Sequence, residues 1–109
     1  MKKILIINGP NLNLLGNRED SIYGKDSLDK IKSDCEKKGT EKKLEIVFFQ
    51  SNNEGEIIDK IHEVNEKYDG LIINPAAFTH SSIAILDSLR AISKPKIEIH
   101  LSNIYAREE

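Results

Sequence analysis

Four apolar residues in a row, Ile4 to Ile7, break abruptly into Asn8, Gly9, Pro10, Asn11 and Asn13. An uninterrupted apolar run of that length reads as a strand buried on both faces of a parallel sheet. Gly9 and Pro10 stop it, and the asparagine amides lie just past its carboxyl end. In open parallel sheets flanked by helices, that end is where ligands bind. The loop beyond carries Arg18 and Tyr23, five residues apart. A cation near a phenol favours the phenolate, so such a pair suits an enzyme that needs a tyrosine as a base.

The rest of the chain alternates between two periods. After the first strand, about Lys3–Asn8, and the loop to Gly24, a helix is expected over Leu28–Lys38. Leu28, Ile31 and Cys35 face inward and Gly39 serves as its stop. The second strand is Leu44–Gln50, with Glu45 marking an edge position. Ser51 and Glu54 have capping-box spacing. The helix they introduce carries Ile57, Ile58, Ile61, Val64 and Tyr68 at a period near that of an α-helix. The third strand, Gly70–Asn74, is apolar until Asn74-Pro75. A third helix spans about Ser81 to Ile92, and a fourth strand runs from Lys96 to Ser102. The order β-α-β-α-β-α-β implies parallel strands with right-handed crossovers. Strands one and three look central, so the strand order is 2-1-3-4. This is an α/β, flavodoxin-like winding with its switch point between strands one and three.

Global properties limit the class. The chain has 109 residues, enough for one domain over 1–109, with 31% charged and 39% apolar residues. A net charge of −2 argues against a nucleic-acid or membrane surface. The single cysteine, Cys35, excludes an internal disulfide and suits a reducing, cytoplasmic setting. The apolar run after Met1 is too short for a signal-peptide core or a membrane span.

Three strand ends collect polar residues: Asn11 and Asn13 after strand one, Asn74 after strand three, His100 and Ser102 at strand four. Alternation puts Glu98, His100 and Ser102 on one face of strand four, with Ile97, Ile99 and Leu101 on the other. A carboxylate two residues from an imidazole can orient it and favour its protonated form. His80 and Asp87, seven apart, would share one side of the third helix. Each has an ordinary alternative. Tyr23 can pack a loop, Glu98 and His100 can be a surface pair, and Asp87 and His80 can be solvated helix residues. His62, among acidic neighbours, reads as surface, and Cys35 as core-facing. Their gathering at one sheet edge favours the functional reading. The chain lacks G-x-G-x-x-G and G-x-x-x-x-G-K-[ST] loops, zinc spacing and a G-x-S-x-G elbow. It also carries Asn8 and Asn74 where a phosphoacceptor receiver needs acids.

Five blocks carry a resemblance: NGPNLNLLG, then R-x-x-x-x-YG, FFQSNNEGEIIDKIHE, NPAAFTHSS and EIHLSNIYAREE. Together they resemble type II 3-dehydroquinate dehydratase, the type II dehydroquinase of the shikimate pathway, from end to end of the chain. The resemblance implies a hydro-lyase of aromatic amino-acid biosynthesis that converts 3-dehydroquinate to 3-dehydroshikimate through an enolate. It implies no metal, cofactor or Schiff base, and a cytoplasmic dodecamer built from trimers. Residue by residue, Tyr23 matches the proton acceptor and Arg18 the cation that favours its anion. Asn11 matches an enolate stabiliser, and His100, oriented by Glu98, the proton donor. Asn74, Leu101 and Ser102 match the seat of the substrate carboxylate, and His80 a ligand of a ring hydroxyl. Asp87 matches a residue that reaches a neighbouring subunit's site, and Arg107 a site-flanking arginine.

The chain departs from the family's pattern at Asp20, where a proline is usual, at Ala76 for a glycine and at Phe78 for a tyrosine. Family chains continue past the AREE segment with another substrate-binding arginine, a fifth strand and a last helix, so this chain reads as C-terminally short. Two other classes fit the residues: a non-catalytic flavodoxin-like module binding a small anion, and an inactive assembly fragment.

Overall fold

The computed structural model describes residues 1–15 and 27–100. Strand β1, Lys2–Asn8, leads into a short 3-10 turn at Leu12–Leu14. Helix α1 covers Leu28–Glu41 and β2 covers Leu44–Gln50. Helices α2, Glu54–His62, and α3, Val64–Lys67, precede β3, Gly70–Asn74. A second 3-10 turn, Ala76–His80, opens into α4, Ile83–Arg90, and β4 is Lys96–Glu98. The four strands form one sheet in the order β2-β1-β3-β4, as expected. All three pairings are parallel, with Asn8 opposite both Gln50 and Asn74. This is the flavodoxin-like winding that the alternation implied, and it places the ends of β1, β2 and β3 side by side.

The core lies on one face of the sheet. Leu5 and Ile7 of β1 and Leu71 and Ile73 of β3 point to the same side. Ile57, Ile61, Val64, Ile85 and Leu89 pack on them from α2, α3 and α4, with Tyr68 at the end of α3. Each fully buried aliphatic side chain stabilises the fold by about 1.5–3 kcal/mol. The period read in α2 is therefore the core face, although the helix breaks at Glu63 before α3. Helix α1 lies against β2 on the opposite face, and its Leu28, Ile31 and Cys35 are only half-buried.

Four local expectations need correcting. Gly39 does not stop α1; the helix runs on to Glu41. Gly39 is buried instead, because a Cβ there would collide with the Ile46 side chain of β2. Lys43, with φ 61°, takes the left-handed position that ends the turn. Ser51 is not the cap of α2. Asn53 is, its side chain accepting from the Glu56 N–H at 3.0 Å. The Ser51 hydroxyl donates to Glu56 Oε1 at 2.6 Å, two residues beyond the expected partner Glu54. The third helix begins at Ile83 behind a Ser82 cap, so His80 lies in the preceding 3-10 turn and not on the helix with Asp87.

The fourth correction is at β4, which among the described residues ends at Glu98, with Ile99 and His100 beyond it; the expected Leu101 and Ser102 lie outside the described residues. On β3, residues 71 and 73 direct their backbone groups to β4, and 72 and 74 direct theirs to β1. The Ile73 carbonyl accepts from the Ile99 N–H at 2.8 Å. Beyond Asn74 the chain turns: Pro75 has φ −74° and ψ −8°, and its carbonyl accepts from the Phe78 N–H at 3.0 Å. Pro75 also has no N–H to donate, so among the described residues β3 offers β4 no group beyond Ile73.

Candidate active site

Three neighbouring strand ends build the floor of the site. Asn8 is buried, and its Nδ2 donates to the Phe49 carbonyl at 3.3 Å. The Gly9 N–H donates to the Asn74 carbonyl at 2.7 Å. A Cβ on Gly9 would run into the Pro75 carbonyl, so glycine is needed for the two turns to touch. Beyond it, Asn11 sits in the left-handed region at φ 68°. Leu12 and Leu15 are buried and pin the turn to the protein. Asn13 is exposed.

The end of β3 is built similarly. Asn74 is buried, and its Oδ1 accepts from the Ala76 N–H at 3.1 Å. That bond supports a left-handed turn at Ala76, φ 52°, a conformation that costs an alanine about 1–2 kcal/mol. With Oδ1 taken, the amide nitrogen is the Asn74 group left to meet a ligand among the described residues. A carboxylate is the partner such a donor suits.

At the end of β4, His100 Nε2 and Glu98 Oε2 are 3.2 Å apart, so the expected pair forms. The two side chains are 44% and 47% exposed, which leaves the imidazole open to solvent and to a ligand. Glu98 also lines a cleft of about 170 Å³ whose wall includes Pro75, Thr79, His80 and Ser82. His80 and Glu98 thus share one cleft even though His80 is off the helix. Asp87 is exposed on α4 and does not line that cleft. Arg18, Tyr23, Leu101, Ser102 and Arg107 lie outside the described residues, as does Asp20.

Two residues at this edge were not read from the sequence. Gln50 and Asn52, at the end of β2, bond to the turn after β1. Their signal was present in the QSNN stretch, which follows a strand as directly as NGPN does. Away from the site, Cys35 on α1 has its thiol pKa raised by burial and then by the Asp34 and Glu36 carboxylates, so it is a poor nucleophile. His62 is exposed at the end of α2. Among the described residues no group of three or more His, Cys, Asp or Glu side chains could hold a metal ion. No helix among them is long and apolar enough to cross a membrane.

Comparison with known proteins gives this geometry its context. The 3-dehydroquinate dehydratase of Caldicellulosiruptor saccharolyticus is 59% identical over 110 residues, covering 100% of this chain and 76% of its own length. The type II dehydroquinase of Butyrivibrio crossotus superposes with a TM-score of 0.89 at 48% identity, over 94% of this chain and 72% of that one. The type II dehydroquinase of Propionibacterium acnes superposes with a TM-score of 0.91 at 41% identity, over 100% of this chain and 75% of that one. The family model described as dehydroquinase class II matches residues 2–109. The chain belongs to the class II dehydroquinase family.

Proposed function

We propose that this chain is a 3-dehydroquinate dehydratase, a hydro-lyase of the shikimate pathway acting in aromatic amino-acid biosynthesis. The observation that carries the reading is the family match over residues 2–109, on a fold that sets the asparagines of β1 and β3 beside each other. An elimination next to a ketone needs a base, a cradle for the enolate and an acid for the leaving hydroxyl.

In the proposed mechanism Tyr23, as tyrosinate, removes a proton from the carbon beside the ketone. An unperturbed tyrosine titrates near pH ~10, and the Arg18 guanidinium is the group assigned to favour the anion. The electron pair passes into the ketone as an enolate, which Asn11 stabilises. When the enolate collapses, the bond to the leaving hydroxyl breaks and His100 supplies the proton that makes it water. Glu98 orients the His100 ring. Asn74 holds the substrate carboxylate with the backbone amides of Leu101 and Ser102 and the Ser102 hydroxyl. His80, in the cleft it shares with Glu98, meets a ring hydroxyl.

We also assign the chain a single domain over residues 1–109, a cytoplasmic location and a trimer-based homo-oligomer, with a dodecamer as the full assembly. Asp87 supports this: it lies on the face of α4 that leaves Ile83 83% exposed. From there it would reach a neighbouring subunit's site.

The direct test of the activity is to add 3-dehydroquinate to purified protein and follow ultraviolet absorbance. The product is a conjugated enone and the substrate is not. Absorbance that rises in proportion to protein concentration supports the reading. A flat trace at high protein concentration refutes it.

A further inference from the structure

We propose that Asn52, held by Gln50, is a positioning residue for Asn11 and fixes the turn from which Asn11 acts on the enolate. The inference rests on the activity proposed above and deepens it, because nothing in that mechanism uses the end of β2.

The turn at Asn11 is strained. Asn11 is not glycine, yet it holds φ 68° and ψ −3°. Asparagine tolerates this region better than most residues, but single residues stay there only when the surroundings hold them. The Asn11 carbonyl accepts from the Leu14 N–H at 3.0 Å, which ties the turn forward along the chain. Its N–H donates to Asn52 Oδ1 at 2.9 Å, which ties the turn sideways to another strand end, 41 residues away in sequence. The Asn11 side chain caps nothing in the 3-10 turn that follows. It remains available for a ligand.

Asn52 is exposed, and an exposed asparagine alone would be a poor anchor. Gln50 supplies the restraint. Its Nε2 donates to Asn52 Oδ1 at 3.1 Å and to the Gly9 carbonyl at 3.2 Å, and Asn13 Oδ1 lies at 3.5 Å. Three acceptors surround that nitrogen. Turning the Gln50 amide over would set its own oxygen against all three, so its orientation is fixed. Gln50 is itself fixed by the ladder, where it stands opposite Asn8. The restraint therefore runs from β2 through Gln50 to Asn52 and on to Asn11.

Without the Asn52 acceptor, Asn11 can leave the left-handed region and carry its carboxamide away from the enolate. A displacement of ~1 Å in a reacting arrangement can cost about a hundredfold in rate. Asn52→Ala is therefore expected to lower kcat by about 10- to 100-fold with less change in KM. Because Asn52 acts through Asn11, the double variant Asn11→Ala/Asn52→Ala should be no slower than Asn11→Ala alone.

The test uses the full chain and two independent readouts. The first is the double-mutant cycle in kcat with 3-dehydroquinate. Losses that multiply in the double variant, or Asn52→Ala within twofold of the parent, would overturn the proposal. The second is hydrogen exchange at the Asn11 amide, which needs no activity. It should be faster in Asn52→Ala and close to the parental rate in Asn52→Asp, where an acceptor remains at the same place. Unchanged exchange in Asn52→Ala would overturn the clasp. A parent chain that fails to turn over 3-dehydroquinate would instead sink the activity reading, and the exchange rates would still decide whether Asn52 holds Asn11.

Discussion

The carboxyl ends of β1 and β4 both carry residues of the proposed site, and the fold holds them very differently. At β1, Asn8 is buried, Gly9 is wedged against Pro75, and Asn11 is tied to β2. At β4, every residue from Lys96 to His100 is exposed, and β3 turns away from it at Pro75, so the ladder among the described residues is short. Among the described residues the outer edge of β4 has no partner strand. The difference maps onto the chemistry. The proposed enolate cradle and the proposed carboxylate donor stand on turns pinned to the core. The Glu98–His100 pair is placed by one short strand and by whatever lies on its far side.

The sharpest way to break that contrast is a pair of truncations. Ile7 is fully buried, so Ile7→Ala should cost about 2–5 kcal/mol. Ile97 is 59% exposed, so Ile97→Ala should cost at most about 0.5 kcal/mol. Denaturant titration of both variants measures the difference. An Ile97→Ala cost as large as that of Ile7→Ala would mean that the β4 face is covered in solution and the two ends are equally braced.

Next in size is Gly9→Ala. The added methyl meets backbone, which cannot swing aside as a side chain can, and the turns of β1 and β3 must part. A loss of about 1–3 kcal/mol is expected. It should come with a loss of activity, because Asn11 and Asn74 would move apart. A variant as stable and as active as the parent would show that the close approach at Gly9 is not needed.

A smaller effect of opposite sign is expected at Ala76. Its φ of 52° penalises any side chain, so Ala76→Gly should raise stability by about 1 kcal/mol. Unfolding midpoints of the two proteins decide it. A destabilised Ala76→Gly would mean that the Ala76 methyl makes contacts worth more than the strain it incurs.

Much of this was legible in the sequence. The 2-1-3-4 order followed from two all-apolar strands and one edge glutamate, and the Glu98–His100 contact followed from simple alternation. What was not legible depended on particular contacts and backbone turns that pattern alone does not encode. Gly39 reads as a helix stop because glycine usually is one there; only the Ile46 side chain lying against it shows that it is a packing position. Ser51, Asn52 and Asn53 are all capping residue types, and spacing alone could not choose among them. The left-handed turn at Ala76 has no sequence signal, since alanine normally avoids it. The tie between Asn52 and Asn11 spans 41 residues and depends on the register of β1 with β2. That β4 ends before Ile99 and His100 was not legible, because alternation reports which face a residue takes, while the extent of a strand is set by its neighbour.

The central claim is that the end of β4 supplies the acid for an elimination whose other groups sit on the ends of β1 and β3. It is tested most directly by the rate of enone formation from 3-dehydroquinate in His100→Ala beside the parent chain, at equal concentration and with unfolding midpoints to confirm that both are folded. A general acid is worth about 10²–10⁴-fold in rate, and a loss in that range is predicted, with a stability change of less than about 0.5 kcal/mol because the side chain is solvent-exposed. A folded His100→Ala variant turning over within twofold of the parent would contradict the account.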